Sequence, residues 1–395
     1  MILLPKRSSL SGWNSGMPWR RRSTKGPQSS GTGSGRLESV MKIGAREIAD
    51  SPLEWVGGKG EYSGMILSSR VRLARNIKGH VFPWRAGKEE LADCAQRVRS
   101  AIRSEDSLRP FTLFEVDALE PLSRGVLIEK HLISPALAKG GPGREAAVDG
   151  LGIVSIMINE EDHVRIQAIL GGMSIHEAWR IARRMDELLD KLDYAFDSRY
   201  GFLTACPTNV GTGLRASIMI HLPALTRLRR IGKLAVDCGK IGLTVRGMFG
   251  EGSDSPGSLY QISNQVTLGQ TEDELVEKVS GAALGLVRQE ETARGRILAE
   301  RGPGLEDKVW RAWGLLTFSR VIEAREALEL LSLVRMGSEM GILPEVKVAT
   351  LNALLLDIQE AHIQARSAAE LPPEEIGRKR SEVLRRALAD PGVES

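Results

Sequence analysis

Cysteine is scarce in this 395-residue chain: Cys94, Cys206 and Cys238 form neither a CxxC pair nor an even framework. Thiols so spaced argue for a reducing compartment, taken here as the cytoplasm, and against structural disulfides or zinc. The six histidines lack HxxxH spacing, so no dedicated protein metal cage is expected. No apolar run approaches the ~20 residues that a membrane span requires, and no membrane association is expected. Acidic residues are missing from residues 1–37, which hold Lys6, Arg7, Arg20, Arg21, Arg22, Lys25 and Arg36. Subtracting those seven from the formal net charge of +4 leaves the rest of the chain at −3. A basic surface for nucleic acid therefore has no warrant in the folded body.

Several nucleotide signatures are also missing. There is no GxxxxGK(S/T), and there is no HRD or DFG set, so neither of those two kinase chemistries is available. Residues 211–216 (GTGLRA) fit a dinucleotide fingerprint, with Asp237 about twenty residues on as that motif wants. The fingerprint needs a helix directly after it to receive the pyrophosphate. Here the following residues alternate like a strand and then meet Pro223, which excludes that reading.

What is present is a globular composition, 42% hydrophobic and 26% charged, on a chain long enough for two domains. Residues 1–40 read as a disordered basic tail rich in Ser, Gly and Arg. The same stretch also resembles an organellar transit peptide, or sequence upstream of a start near Met41. Between about residues 63 and 269 strand patterns dominate: 151–158 and 164–170 flank a polar turn, and 214–222 alternates with period two. Residues 174–190 carry one apolar helical stripe, and Thr271 with Glu274 fits a capping box. Beyond about residue 304 the pattern turns helical, over 305–336, 344–364 and a charged segment after Pro373, with residues 294–304 as the connection. The division is thus a tail (1–40), a catalytic domain (41–300) and a smaller all-helical domain (301–395). The last is predicted to be regulatory or oligomer-forming, with a homodimer expected, because its leucine-rich stripes must be covered.

Arginine on strand-like segments is the unusual feature. Arg70 and Arg72 stand two apart in SSRVRLARN (68–76), so an extended chain projects both from one face. Arg165 follows the turn Asn159-Glu-Glu-Asp-His163, Arg215 opens a strand, and Arg246 ends one before the glycine-rich GMFGEG (247–252). Taken singly, each is an ordinary surface cation. Five guanidinium groups could converge only on a polyanion, and a nucleotide triphosphate is one.

These segments, with CPTNVGT (206–212), Arg215-Ala-Ser217 and YQISN (260–264), resemble in order the motifs of the guanidino (phosphagen) kinases, the creatine and arginine kinases. The implied fold is α+β, an antiparallel sheet flanked by helices, followed by the helical domain. The metabolite kinases carry a long helical domain before the SxRxR strand; here 27 residues separate Met41 from Ser68. A helical domain placed after the catalytic one, and the wording SSRVRLARN and RGMFGEGS, are closer to the bacterial protein-arginine kinases of the McsB type.

The resemblance implies ATP with Mg²⁺ and assigns roles. Arg70, Arg72, Arg165, Arg215 and Arg246 would grip the phosphates, among the neighbouring nucleotide-binding positions Ser68, Ser69, Val71, Ala216, Ser217, Ile218, Met219, Gly247, Met248, Phe249, Gly250 and Glu251. His131, in EKHLIS (129–134), would lie near the adenine. A guanidinium is protonated, with a pKa above ~12, until a base takes its proton. Glu161 and Glu251 match the carboxylate pair that brackets it and accepts that proton, while Glu160 and Asp162 are expected to point elsewhere. Cys206 matches the reactive cysteine beside the guanidinium. Phe249 stands where the metabolite arginine kinases have a further arginine. The phosphoarginine-holding RDxxRA motif of the protein kinases is reduced here to Arg380, within IGRKRS (376–381). The expected partners are proteins with exposed arginine, an activating protein and components of a proteolytic or stress-response system. The alternatives are a kinase for free arginine or another small guanidino compound, and a silent adaptor that binds arginine-rich partners.

Overall fold

The structure, a computed structural model, describes residues 44–248 and 255–389; the basic tail and the positions Phe249, Gly250 and Glu251 lie outside them. Ten strands are present among the described residues: β1 (Ile66–Arg75), β2 (Thr112–Glu115), β3 (Glu145–Val148), β4 (Val154–Ile158), β5 (Val164–Gly171), β6 (Phe196–Asp197), β7 (Gly201–Phe202), β8 (Leu214–His221), β9 (Leu243–Gly247) and β10 (Leu259–Asn264). Eight form one antiparallel sheet in the order β2-β3-β4-β5-β1-β8-β10-β9. The helices are α1 (Ala45–Asp50), α2 (Lys88–Arg103), α3 (Pro121–Glu129), α4 (Pro135–Ala138), α5 (Ile175–Leu189), α6 (Pro223–Arg227), α7 (Ile231–Lys240), α8 (Glu272–Phe318), α9 (Ala324–Glu339), α10 (Val348–Asp357), α11 (Glu360–Arg366) and α12 (Pro373–Leu388).

The period-two pattern decides which face each strand buries. On β1 and β8, Val71, Leu73, Ala216, Ile218 and Ile220 are buried in the main core, where α5 lies on β1 and β5, and α8 lies on β8 and β10. At the far end of the sheet the alternate residues Phe114, Ala146, Val148 and Met157 face a second core with α1, α3 and α4. That cluster covers one end of the second face only. The rest of that face, from β5 to β9, carries the arginines.

Turns and caps follow sequence chemistry. The GTG turn leads into strand β8 and not into the helix that a dinucleotide fingerprint needs, and Gly213 takes φ 65°. A Cβ there would lie 2.6 Å from the Ala74 carbonyl, so only glycine lets this turn close on β1. The capping box at the start of α8 forms as expected: the Glu274 amide donates to Thr271 Oγ1 (3.2 Å) and the Thr271 amide to Glu274 Oε2 (2.7 Å).

The helical part departs from the sequence pattern in three places. No connection occurs over residues 294–304, because α8 runs through Pro303. Buried Leu305 and Val309 beyond the proline, and the ion pairs of Arg294 with Glu290 and Glu339 before it, outweigh the missing amide. The pattern over 305–336 is interrupted after Phe318, and that over 344–364 after Asp357. Both interruptions are held by α12: Arg380 donates through Nη1 to the Ile322 carbonyl (2.9 Å) and through Nε to the Ile358 carbonyl (2.8 Å).

These helices also brace the sheet. His221 at the end of β8 shares a 2.7 Å hydrogen bond with Ser332 of α9. Glu129, at the end of α3, accepts from the Ala361 and His362 amides at the start of α11 (2.8 and 2.9 Å). Gly257 takes φ 72°, and a Cβ there would lie 3.1 Å from the Leu328 carbonyl of α9.

Candidate active site

Register places the arginines side by side on the open face. Arg72 pairs with Arg215 across β1 and β8, Arg70 with Ser217, and Ser68 with Met219. On the other flank Arg72 pairs with Gln167 and Arg70 with Ile169 of β5. Arg246 of β9 pairs with Gln261 of β10, which pairs in turn with Met219. Ser68, Arg70, Arg72, Arg165, Arg215, Ser217, Met219 and Arg246 therefore share one face.

The alternate positions point away. Val71, Ala216 and Ile218 are buried in the main core. The Ser69 hydroxyl donates to the Gly172 carbonyl (2.7 Å) and accepts from the Ser174 amide (2.9 Å), which ties it to the start of α5. Gly247 lies at the end of β9, with Met248 after it, its amide held by the Leu259 carbonyl (3.0 Å).

Among the described residues the arginine cluster holds more cations than anions. Burial, then the fields of Arg215 and Arg165, bring the Arg70 guanidinium down to about 10. Burial and the fields of Arg70, Arg165 and Arg215 push Arg72 well below the usual arginine value, opposed by Glu160. Arg215 is lowered by burial and by Arg246. Arg72 Nε is buried with no hydrogen-bond partner among the described residues. Guanidinium groups that depress one another, with a buried donor to spare, form a site that an anion of several charges would stabilise.

Two carboxylates border it. Arg165 reaches Glu160 Oε2 through Nη1 and Glu161 Oε2 through Nη2, each at 2.6 Å. Glu160 thus turns into the site rather than away, and it also accepts from the Ser134 hydroxyl (2.5 Å). Asp162 is buried as expected of a residue pointing elsewhere, and it binds Asn76. Cys206 is half-buried, its Sγ 3.1 Å from Thr208 Oγ1, and it lies within the electrostatic reach of Arg215.

Beside the arginines a cavity of about 180 Å³ is lined by Trp55, Leu67, Ser68, Arg70, His131, Ile169, Ser217, Met219, Met248 and Gln261. The His131 and Trp55 rings stand 6.0 Å apart. His131 takes φ 60°, a left-handed conformation held by Gln167 Nε2 donating to its carbonyl (2.7 Å). Burial, helped by Arg70, lowers its imidazole to about 4, so the ring is neutral. Trp55 and Gln261 complete the wall without having been foreseen. Gln261 could have been found by period-two counting within the strand segment YQISN (260–264), whereas Trp55 sits in a single 3₁₀ turn (Glu54–Gly57) that gives no such signal.

Residues 93–293 match the family model of the ATP:guanido phosphotransferase C-terminal catalytic domain, and residues 303–394 that of the protein-arginine kinase McsB C-terminal domain. A protein-arginine kinase of Halothermothrix orenii is 44% identical, over 85% of this chain and 96% of that protein. One of Moorella thermoacetica is 43% identical, over 85% and 97%. The chain belongs to the protein-arginine kinase family. Its fold is that of the guanidino kinases: a lombricine kinase superposes with a TM-score of 0.52 at 25% identity, over 61% of this chain and 71% of that one. The duplicated taurocyamine kinase of Schistosoma mansoni superposes with a TM-score of 0.54 at 23% identity, over 70% and 39%.

In this member of the protein-arginine kinase family, Arg380 is 5% exposed and spends Nε and Nη1 on backbone carbonyls. Among the described residues no three His, Cys, Asp or Glu side chains are grouped to hold a metal, and no helix is long and apolar enough to cross a membrane.

Proposed function

We propose that this chain transfers the γ-phosphoryl group of ATP to an arginine side chain of another protein. One observation carries the reading: a face of buried arginines whose charges depress one another, outnumbering the carboxylates among the described residues, adjoins a carboxylate turn that already grips a guanidinium. Arg70, Arg72, Arg215 and Arg246 would take the phosphates, and the neutral ring of His131 with Trp55, Ile169 and Met219 would receive the base. Mg²⁺ would arrive with the nucleotide, coordinated through phosphate oxygens and water, and supply further charge neutralisation.

The phosphates compete with Glu161 for Arg165, and that competition frees a carboxylate for the incoming guanidinium. A guanidinium nitrogen then attacks the γ-phosphorus in line as the bond to the ADP oxygen breaks, and the departing proton goes to a carboxylate. Glu161 and Glu251 fill that role in this reading, and Cys206 adds negative charge beside the acceptor. Positioning and the arginine field supply most of the rate.

The division into a catalytic part (41–300) and a helical part (301–395) is functional here: the first bears the phosphotransfer groups, the second serves regulation or assembly, as a homodimer. Arg380 acts as a clamp for the helical part rather than as a phosphoarginine ligand. An activating protein, and a proteolytic or stress-response system that reads the mark in the cytoplasm, complete the proposal. Comparing kcat/KM for free arginine with that for an unstructured arginine-bearing protein tests the acceptor. A clear preference for free arginine would replace the proposal with a small-guanidino kinase.

A further inference from the structure

A buried polar node with no part in the chemistry above lies between the turn bearing Glu161 and the segment bearing Cys206. Asp162 is 0% exposed, and its Oδ1 accepts from Asn76 Nδ2 and from the Ala205 amide, both at 2.7 Å. Asn76, at the end of the SSRVRLARN segment, also donates to the Leu203 carbonyl (3.0 Å) and accepts from the His163 amide (2.9 Å). His163 accepts through Nδ1 from the Ile77 amide (3.2 Å) and faces the Val81 carbonyl through Nε2 (3.1 Å). Burial brings its imidazole down to about 4, so one neutral tautomer serves both contacts.

Three separate stretches of chain meet at this node: the end of β1, the turn 159–163 and the segment 203–206. Asp162 directly follows Glu161, and Ala205 directly precedes Cys206. Each acceptor-side group thus stands one peptide unit from an atom that the Asp162 carboxylate fixes. The same carboxylate keeps its second oxygen, Oδ2, buried with no hydrogen-bond partner among the described residues. Both donors are thus met by Oδ1 alone, so one oxygen at this position joins the three stretches.

We propose that Asp162, held by Asn76, is a positioning residue that sets the separation of Glu161 and Cys206 and so the seat of the acceptor guanidinium. This rests on the reading of Glu161 and Cys206 as acceptor-side groups. It does not involve the nucleotide, whose arginines sit on β1, β5, β8 and β9.

The test uses the full chain with Asp162→Ala, Asp162→Asn and Asn76→Ala, read by nucleotide affinity, turnover and the rate of Cys206 alkylation by iodoacetamide. Cys94 and Cys238 are buried, and Cys206→Ser supplies the blank. Asp162→Ala should lower kcat by about tenfold or more and change the alkylation rate by about threefold or more, with ATP affinity kept within about twofold. Asp162→Asn keeps an oxygen for both donors and should restore turnover and alkylation to within about threefold of wild type. Should Asp162→Ala fail to fold, Asn76→Ala is read in its place with the same pattern expected. Wild-type turnover and alkylation in Asp162→Ala would overturn the proposal. So would an Asp162→Asn variant as slow as Asp162→Ala, which would make charge rather than geometry the cause. If Glu161→Gln kept its turnover, the acceptor-site reading itself would fall, whereas the alkylation rates would still report whether the node holds Cys206.

Discussion

Replacing Arg72 by methionine should move stability and nucleotide binding in opposite directions. Without nucleotide, Arg72 lies in the fields of Arg70, Arg165 and Arg215, with Glu160 in opposition and Nε buried and unpaired among the described residues. At an effective dielectric of ~20, and with partial screening, each like-charged neighbour costs on the order of 1 kcal/mol. Methionine keeps the apolar stem and removes the charge, so the free energy of unfolding without nucleotide should rise by about 1–2 kcal/mol. With nucleotide, the loss of a charge-assisted phosphate contact removes ~1.5–3 kcal/mol, a ~10- to 150-fold rise in the dissociation constant. At an ATP concentration giving about 2.7 kcal/mol of stabilisation to the wild type, a 30-fold weaker variant should gain only about 0.8 kcal/mol. Urea unfolding with and without ATP, together with calorimetric titration, reads both quantities. A variant that is less stable without nucleotide, yet binds ATP like the wild type, would show that Arg72 is structural and refute the anion-site argument.

Glu161→Gln should lower turnover by on the order of 10², with ATP affinity unchanged or tighter because Arg165 loses a competitor for the phosphates; near-normal turnover in steady-state assays would remove Glu161 from the mechanism. His131 and His163 are both held at about 4 by burial, below the ~6.5 of an unfolded chain. The unfolded state therefore takes up their protons first, and stability should be full above about pH 6.5 and fall toward pH 4 by roughly 1.4 kcal/mol per unit for each histidine. Flat urea midpoints between pH 7 and 5 would contradict this. Gly257→Ala demands a left-handed alanine pressed on the Leu328 carbonyl and should cost about 1–2 kcal/mol; an unchanged melting temperature would show that α9 does not pack firmly there. A chain ending at residue 300 would lose α9 to α12, along with the cores and caps that they complete. It should fail to give a cooperative unfolding transition, and a stable, ATP-binding fragment would show that the helical part is dispensable to the fold.

Three strands were legible: β8 lies within the period-two segment 214–222, β4 within the apolar run 151–158, and β5 matches 164–170 to within one residue, and Arg70 and Arg72 do share a face. The convergence of five arginines was not legible, since it depends on register between strands far apart in sequence, such as Arg72 against Arg215. Helix ends were misplaced for a similar reason. The breaks after Phe318 and Asp357 are fixed by Arg380, whose partners are carbonyls distant in sequence, and the run through Pro303 is supported by the tertiary ion pair of Arg294 with Glu339 of α9. Glu160 was assigned away from the site because turn residues obey no period; its contact with Arg165 is decided by the turn's own geometry. Within the same motif stretches the side chains of Ser69, Val71, Ala216 and Ile218 lie on the other face, as a strict count of two along β1 and β8 requires.

The central claim is phosphotransfer to arginine, and the product tests it most directly. The full chain, incubated with ATP, Mg²⁺ and an unstructured arginine-bearing protein, should yield acid-labile phosphoarginine by mass spectrometry that avoids acid, and Glu161→Gln should yield about a hundredth as much in the same time. Phosphate found on serine, threonine or tyrosine instead, or no transfer to arginine in either protein or free form, would contradict the account.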